Sequence, residues 1–248
     1  MVFIIDTINM LERRQNMNKG MLIVIEGACD GIGKTTQFNM LIDKLKKDGI
    51  KIYTHHFPSY GTVQGERVEK FLKGEYGNPS DLSPYFVNEL YAYDRLCTWK
   101  EELKKYYDDG YLILLDRYTT SSIIYQSVFI KNKNEKNKFI DYVIKYEYEE
   151  NKIKAPDLVV FLKASYDLVR KLKNNRINNE GIANDVYEKD DKLMENIYNN
   201  AIYISEYLNW DTIECSDGNT FKDKDTISEE VYRLVKSKIK WKSLFFLK

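Results

Sequence analysis

A short segment rich in glycine and hydroxyl-bearing residues has the composition and the neighbours of a phosphate-binding loop. Residues 28–36 read Ala-Cys-Asp-Gly-Ile-Gly-Lys-Thr-Thr and lie between an apolar run and an amphipathic stretch. At a strand-to-helix junction of this kind, backbone N–H groups point towards anionic phosphate. We expect the Lys34 ammonium group to reach the outer phosphates and the Thr35 hydroxyl to bind Mg²⁺. The sequence therefore predicts a nucleotide site at this junction.

The entry to the loop departs from the usual pattern. Counting back from Gly33 and Lys34 places Ala28 where a glycine is usual, with Gly27 one residue earlier. The entry turn favours a residue that tolerates unusual φ angles. We therefore expect Gly27 to take the turn one residue upstream and phosphate binding to survive.

Two further pairs of residues are suited to contacting a nucleotide. Asp116 and Arg117 follow an apolar run, and a guanidinium at a strand end can bind phosphate through two parallel hydrogen bonds. Tyr91 and Arg95 are four residues apart, so they share one helix face. Only 8 of the 38 basic residues are arginine, which gives each arginine in a motif more weight. Taken alone, each pair could instead be structural, as a strand-end ion pair or a core aromatic beside a surface charge.

Alternating apolar runs and amphipathic stretches must position these groups. Strands are predicted where apolar residues run together, at 21–26, 51–57, 111–115, 158–162 and 212–215. Helical spacing predicts helices at 38–49, 64–73, 83–107, 120–130, 136–148, 188–208 and from 227 onwards. Because strands alternate with helices and no linker divides them, we predict one α/β domain with a parallel sheet and helices on both faces.

From about residue 21 to 240, the order of several motifs resembles that of the thymidylate kinases. These motifs are Glu26 with Asp30–Gln37, Phe57–Gly61, Gly74–Gly77, Tyr91–Arg95, Asp116–Tyr118 with Ser121, Ser122, Tyr125 and Gln126, and Pro156–Leu158. Ser59 stands where many members have arginine, and Tyr91 where several have phenylalanine. The resemblance implies the P-loop nucleoside monophosphate kinase fold, an α/β fold whose five-stranded parallel sheet has the order 2-3-1-4-5 and is flanked by helices.

The resemblance also implies a reaction, the Mg²⁺-assisted transfer of a phosphoryl group from ATP to dTMP, which supplies dTTP synthesis. The residues implied for ATP are Ala28, Cys29, Asp30, Gly31, Ile32, Gly33, Lys34, Thr35 and Thr36. The residues implied for dTMP are Asp30, Phe57, Tyr60, Tyr91, Arg95, Arg117, Ser122, Tyr125 and Gln126. Thr35 and Asp116 are implied at the metal, and the implied catalytic residues are Lys34, Arg117, Asp30 and Arg176.

Individual roles follow from the same resemblance. Arg117 would hold the acceptor phosphate, and Asp30 would accept a hydrogen bond from the 3′-hydroxyl. Tyr91 would stack on the pyrimidine while Arg95 reaches its carbonyl. Tyr125 would occupy the space of a 2′-hydroxyl, and the alternative is that it only packs its helix against the sheet.

Gly31 bears on the source of the positive charge in the transition state. Some thymidylate kinases have an arginine inside the P-loop, and others have glycine there with a catalytic arginine in the lid. This chain has Gly31, so we expect the cation to come from the lid, about residues 172–187. Arg176 is the only arginine of that stretch, with Lys171 and Lys173 as alternatives.

Domain limits and self-association are also expected from the sequence. Residues 1–20 are predicted to be an extension outside the fold, 21–240 the kinase-like domain and 241–248 a tail. The resembled family is typically homodimeric, and the long helix from Ser83 usually supplies part of that contact.

Composition limits the other partners and the compartment. The 38 Lys and Arg residues balance the 38 Asp and Glu residues, so no overall basic field predicts a nucleic-acid partner. No apolar run approaches the ~20 residues of a membrane span. Cys29, Cys97 and Cys215 are far apart, which indicates reduced thiols in a cytoplasmic protein and no zinc site. His55 and His56 alternate across a strand end, which argues against a shared metal.

Two alternative functions stay open at this stage. A P-loop deoxyribonucleoside kinase would need a carboxylate just after the second strand, where this chain has Phe57-Pro58-Ser59-Tyr60. A nucleotide-binding protein without turnover is disfavoured by the intact P-loop and by Asp116 and Arg117, but the few arginines of the lid leave it open.

Overall fold

A five-stranded parallel sheet forms the centre of the protein. The structure is a computed structural model and describes residues 19–171, 185–188 and 190–245. The strands are β1 Met21–Gly27, β2 Ile52–His56, β3 Leu112–Asp116, β4 Leu158–Lys163 and β5 Asp211–Glu214. They lie in the order β2-β3-β1-β4-β5, and every pair is parallel. The predicted fold and strand order are therefore confirmed.

Helices connect the strands and cover both faces of the sheet. They are α1 Lys34–Lys47, α2 Glu66–Leu72, α3 Pro84–Thr98, α4 Lys104–Asp108, α5 Thr119–Ser127, α6 Lys133–Ile144, α7 Asp191–Tyr207 and α8 Lys224–Phe245. Side-chain caps fix two of the starts, since Asn132 and Asp190 each accept two backbone N–H bonds from the first turn of α6 and α7. None of the helices in the described ranges is long and apolar enough to cross a membrane.

Two predicted helices are not continuous α-helix. The stretch predicted as one helix over 83–107 changes to a π-helical turn at Trp99–Leu103 before α4 begins. The helix predicted over 136–148 starts earlier and continues as a π-helical segment, Lys145–Glu150. A π-turn inserts one residue into the helical repeat without altering the composition, so apolar spacing alone did not show it.

The strand β1 supplies both faces of the core. Ile23 and Ile25 pack into one buried cluster, and Leu22 and Val24 pack into the cluster on the opposite face. Successive side chains of a strand point to opposite faces, so a strand covered on both sides must be apolar throughout. This is why the run Met21–Glu26 reads as continuous rather than alternating.

A short hairpin after the sheet was not predicted. β6 Ser216–Asp217 and β7 Thr220–Phe221 pair antiparallel around Gly218, whose φ is 58°. Two-residue strands are too short to show a period of two, so only the turn glycine could have indicated them.

The start of the folded region lies just inside the predicted extension. Gly20 is buried, and its N–H donates to the carbonyl of Tyr107. A Cβ at this position would lie 2.1 Å from the carbonyl oxygen of Tyr111, so the close approach requires glycine. The described chain therefore joins the core from Gly20 rather than from Met21.

Candidate active site

The chemistry-bearing loops meet because β1 and β3 are neighbours. Ile25 of β1 pairs with Asp116 of β3, so the loop that follows β1 and the Asp116-Arg117 pair leave the sheet at the same edge. A cavity of about 270 Å³ lies there. It is lined by twelve of the predicted site residues, namely Asp30, Lys34, Thr35, Phe57, Tyr60, Tyr91, Arg95, Asp116, Arg117, Ser122, Tyr125 and Gln126. Arg176 lies outside the described residues.

The backbone conformation at the entry to the P-loop differs from our expectation. The φ angles of Gly31 and Gly33 are 93° and 91°, whereas Gly27 and Ala28 both have ordinary negative φ. The expected shift of the entry turn to Gly27 is therefore wrong. Gly27 is needed for space, because a Cβ there would lie 2.7 Å from a methyl group of Ile32. Ala28 is buried and its N–H donates to Leu162, 3.0 Å away, so alanine fits without strain.

The loop ends at the start of α1, which places the remaining loop residues. Gly33 is the N-cap of α1, so the backbone N–H groups of the first helical turn have no carbonyl partner within the helix. No atom lies within 4 Å of where a Cβ of Gly33 would be, which leaves that side of the loop open. Cys29 and Ile32 are buried beneath the loop, and Thr36 is exposed on α1. These residues supply the backbone of the loop rather than the cavity wall.

Lys34 and Asp116 form an ion pair at one end of the cavity. His56 lies 3.1 Å from the other carboxylate oxygen of Asp116, measured from Nδ1. Burial acts to raise the pKa of Asp116, but the hydrogen bond from His56 and the charge of Lys34 outweigh it and hold that pKa well below its usual range. Asp116 is therefore a carboxylate, available to a cation near the loop.

The two neighbouring histidines have different partners. His56 contacts Asp116, while His55 lies 2.9 Å from the Ser59 hydroxyl and 3.3 Å from Glu102. Their side chains point apart, as the strand period predicted, and sequence reasoning gave neither a role. Only the register of β2 beside β3, which pairs His56 with Asp116, brings this histidine to the site.

Arg117 and Asp30 form a second ion pair in the cavity. The Tyr125 hydroxyl donates to the other oxygen of the Asp30 carboxylate at 3.2 Å, and its ring lies 5.4 Å from the Arg117 guanidinium. Arg117 has a φ of 66°, in the left-handed region that non-glycine residues rarely adopt. Strained backbone of this kind clusters at functional sites, which supports the role predicted for Arg117.

A buried carboxylate that received no predicted role supports this end of the site. Glu26 is fully buried and accepts hydrogen bonds from the hydroxyls of Thr120, at 2.8 Å, and Ser121. It also lies 3.9 Å from Arg117. A charged residue closing an apolar strand was the available signal, since such a residue is rarely buried without partners.

The other end of the cavity is aromatic. Tyr91 packs edge-on against Phe71 with ring centres 6.2 Å apart, and Phe57 lies 5.7 Å from the Tyr118 ring. Phe57 is almost fully buried in the core cluster that contains Leu22 and Val24. It therefore lines the cavity and also belongs to the core. Tyr91 and Arg95 both line the cavity, which confirms that they share a face of α3.

Arg95 is buried by partners that the sequence did not indicate. Its Nε and Nη2 donate to the two oxygens of Glu147 at 2.7 and 2.6 Å, and Nη2 also donates to Ser122 at 3.0 Å. Burial acts to lower the pKa of the guanidinium, but Glu147 and nearby groups outweigh it, and the pKa of Arg95 is raised. Glu147 is one of several acidic residues in its segment, and nothing in its spacing marks it as buried.

The end of the predicted lid closes one side of the cavity. Tyr187 is buried, and its hydroxyl donates to Gln126 at 3.2 Å. Its ring packs edge-on against Tyr125 and Phe71, at 5.2 and 5.8 Å. Asp185 also lines the cavity, where burial raises the pKa of its carboxyl. Tyr60 lies at the mouth and is about half exposed, at 56%.

A phosphate-binding loop at the edge of a parallel sheet, opening onto one cavity with a charged end and an aromatic end, is the arrangement of P-loop nucleotide kinases. Within that class, residues 25–218 match the family model described as thymidylate kinase. The chain belongs to the thymidylate kinase family.

Individual relatives agree with this family. The thymidylate kinase of Caldicellulosiruptor saccharolyticus is 30% identical over 213 residues, covering 72% of this chain and 98% of that relative. The putative thymidylate kinase 251L of Invertebrate iridescent virus 6 is 27% identical, covering 69% of this chain and 70% of the viral protein. A solved structure of thymidylate kinase from Candida albicans superposes with a TM-score of 0.66 at 21% identity, over 88% of this chain and 92% of that one, which shows the shared fold.

Proposed function

We propose that this chain phosphorylates dTMP to dTDP, with ATP as the phosphoryl donor. One observation carries the proposal: a single cavity joins the P-loop lysine to an aromatic pocket that ends in a fixed arginine. A donor triphosphate on the loop and an acceptor monophosphate beside it would then meet in line, which phosphoryl transfer requires. The matching family model and the relatives reported above are also thymidylate kinases.

The phosphate end has the charges that this reaction uses. Lys34 and Arg117 each pair with a carboxylate of the same cavity, Asp116 and Asp30. An acceptor phosphate can replace Asp30 as the partner of Arg117, because a guanidinium binds phosphate through two parallel bonds. Asp30 is then left to accept the sugar 3′-hydroxyl. Lys34 turns towards the transferred group, where its charge stabilises the negative charge of the transition state.

Mg²⁺ fits the residues present. Thr35 and Asp116 both line the cavity and offer the oxygen ligands that Mg²⁺ prefers. Within the described ranges, no group of three or more His, Cys, Asp or Glu residues could hold a metal. Mg²⁺ commonly needs only one or two protein oxygens because nucleotide phosphates and waters supply the others. Bound with the nucleotide, it would neutralise phosphate charge, and Thr35 and Asp116 would hold it.

The type of active site follows from Gly31. With glycine inside the loop, the transition-state cation is proposed to come from the lid, as in bacterial members of the family. Arg176 is the residue proposed, with Lys171 and Lys173 as alternatives. Arg176→Ala should lower kcat much more than it weakens dTMP binding, since a cation of this kind acts mainly in the transition state. A rise in the KM for dTMP alone would make Arg176 a binding residue instead.

A homodimer and a cytoplasmic location complete the proposal. Three large side chains of α3, Tyr85, Phe86 and Tyr93, are each about 40% exposed, as expected of a helix that contributes to a dimer contact. The three cysteines, all within the described residues, form no disulfide, which suits a reducing compartment. Light scattering after size-exclusion chromatography checks the dimer, and a monomer at micromolar concentration would contradict it.

A coupled ADP-release assay tests the function. ATP is offered with dTMP, dUMP, dGMP, dCMP and thymidine in turn. We expect turnover with dTMP and dUMP and little with the other monophosphates. Turnover on thymidine alone would indicate a nucleoside kinase, and nucleotide binding without turnover on any acceptor would indicate a binding protein.

A further inference from the structure

The Arg95 guanidinium is held on two sides before any substrate binds. Its Nε and Nη2 meet the two oxygens of Glu147 in a bidentate pair, at 2.7 and 2.6 Å. The second Nη2 hydrogen goes to the Ser122 hydroxyl at 3.0 Å. The plane and the direction of the guanidinium are thereby fixed, because a bidentate pair adds geometry as well as energy.

Glu147 is itself held in place and buried. It is fully buried in the π-helical segment Lys145–Glu150, and the Thr119 hydroxyl donates to its Oε2 at 3.1 Å. The neighbouring acids Glu149 and Glu150 are exposed. Separating this pair would leave an uncompensated buried charge, so we expect it to stay intact when a ligand enters the cavity.

The remaining nitrogen of Arg95 is left for a ligand. Among the residues that the structure describes, no group accepts a hydrogen bond from Nη1. Arg95 lines the cavity although the residue is only 1% exposed. A buried guanidinium that keeps one donor nitrogen free at a cavity wall is a site for an acceptor atom.

We propose that Glu147 sets base choice by positioning Arg95 so that only donor hydrogens face the base. This inference rests on the proposed function and assigns a specificity role to a residue that does not touch the substrate. A pyrimidine with a 4-keto oxygen can accept these hydrogens, and one with a 4-amino group presents donors to donors. Sites built around such a bond reject the mismatched analogue strongly, because their buried polar groups are left unpaired. Glu147 is thus a positioning residue.

Glu147→Gln with two matched ligands tests this role. dTMP and 5-methyl-dCMP differ only at the 4-position and its ring nitrogen, so a change confined to the base donors affects them unequally. We expect the KM for dTMP to rise at least about 10-fold with kcat within about 3-fold, because the phosphate end is untouched. The inhibition constant of 5-methyl-dCMP as a competitor should change by less than about 3-fold. Glu149→Gln removes the same charge from the exposed face of the segment and should change neither value.

Equal losses on the two ligands would overturn the proposal, since a merely structural pair would loosen the whole pocket. If Glu147→Gln does not fold, Glu147→Asp decides the question. It keeps the charge and withdraws the carboxylate by one methylene, so selectivity should narrow in the same direction by a smaller factor. Absence of dTMP turnover in the unaltered protein would instead contradict the proposed function. Failure of the proposed function is thereby distinguished from failure of the role of Glu147.

Discussion

Two arginines of one cavity are held in opposite ways. Arg117 pairs with the partly exposed Asp30, lies over the Tyr125 ring and is held by a strained backbone. Arg95 is held in plane by Glu147, which is fully buried. An ion pair at the cavity surface can exchange its carboxylate for a phosphate, whereas a desolvated bidentate pair cannot. Under the proposed function, the end with Arg117 is suited to exchanging its partner for a phosphate, and the end with Arg95 is suited to recognising a base in a fixed orientation.

The difference follows from where each counter-charge lies. Asp30 belongs to the P-loop, so in the proposed function a bound phosphate would compete with it for Arg117. Glu147 comes from the π-helical segment Lys145–Glu150, none of whose residues lines the cavity. Glu147 neutralises the charge of Arg95 from the side away from the cavity. The pair therefore presents directed donor hydrogens without a net positive charge that would attract anions in general.

Lys34→Ala should have the largest effect and should not depend on the base. Turnover on every acceptor should fall by at least about 10³-fold, since the lost ammonium group stabilises charge on the transferred phosphoryl. Steady-state kinetics with dTMP and dUMP measure this, and circular dichroism checks the fold. Lys44→Ala is the control, because Lys44 is on the same helix but pairs with Glu229 at the surface. Wild-type-like activity of Lys34→Ala would contradict the kinase assignment.

The free energy of unfolding without ligand should distinguish the ion pair of Arg95 from that of Arg117. Arg95→Met leaves the buried carboxylate of Glu147 without its cation and should cost about 3 kcal/mol of unfolding free energy. Arg117→Met removes a pair whose Asp30 carboxylate is one-third exposed, at 34%, and should cost less, about 1 kcal/mol. Urea denaturation of both variants gives the two values. Equal losses would remove the distinction between an exchangeable and a permanent pair.

Tyr125→Ala should change the selectivity between deoxyribose and ribose, which depends on the part of the cavity between its two ends. The ring stands beside Arg117, and the hydroxyl is anchored on Asp30, as a rigid block of a 2′-hydroxyl requires. An apolar pocket alone rejects an added hydroxyl only ~10²-fold. The gap in kcat/KM between dUMP and UMP should narrow at least ~10-fold, about 1.4 kcal/mol. Tyr125→Phe keeps the ring and should keep most of the gap, while an unchanged ratio in Tyr125→Ala would leave Tyr125 as a packing residue.

Removal of residues 1–18 should have the smallest effect. Of the residues that the structure describes, none before Asp30 lines either end of the cavity, and the described core begins at Gly20. Activity on dTMP and the melting temperature should stay nearly unchanged, as a thermal shift assay and the ADP-release assay can show. A large loss of either would mean that the segment supports one end of the cavity.

The sequence, together with its resemblance to the thymidylate kinases, was enough to predict the sheet and most of the cavity lining. Apolar runs such as Met21–Glu26 identify strands covered on both faces, and their alternation with helices implies parallel order. The P-loop and Asp116-Arg117 directly follow such strands, so their meeting at one edge follows from topology. Tyr91 and Arg95 share a face because the helical period brings positions four apart together. These inferences need only neighbours along the chain.

Tertiary structure decided which charges are paired and which are buried. Glu147 reaches Arg95 across 52 positions, and His56 reaches Asp116 only through the register of β2 beside β3. Glu26 is buried with two hydroxyls of α5 as its hydrogen-bond donors. Whether a carboxylate is solvated or desolvated depends on what packs around it, and packing is set by distant segments rather than by local spacing. The sequence therefore names the groups that can touch a nucleotide, and the fold selects the partners that hold them in position.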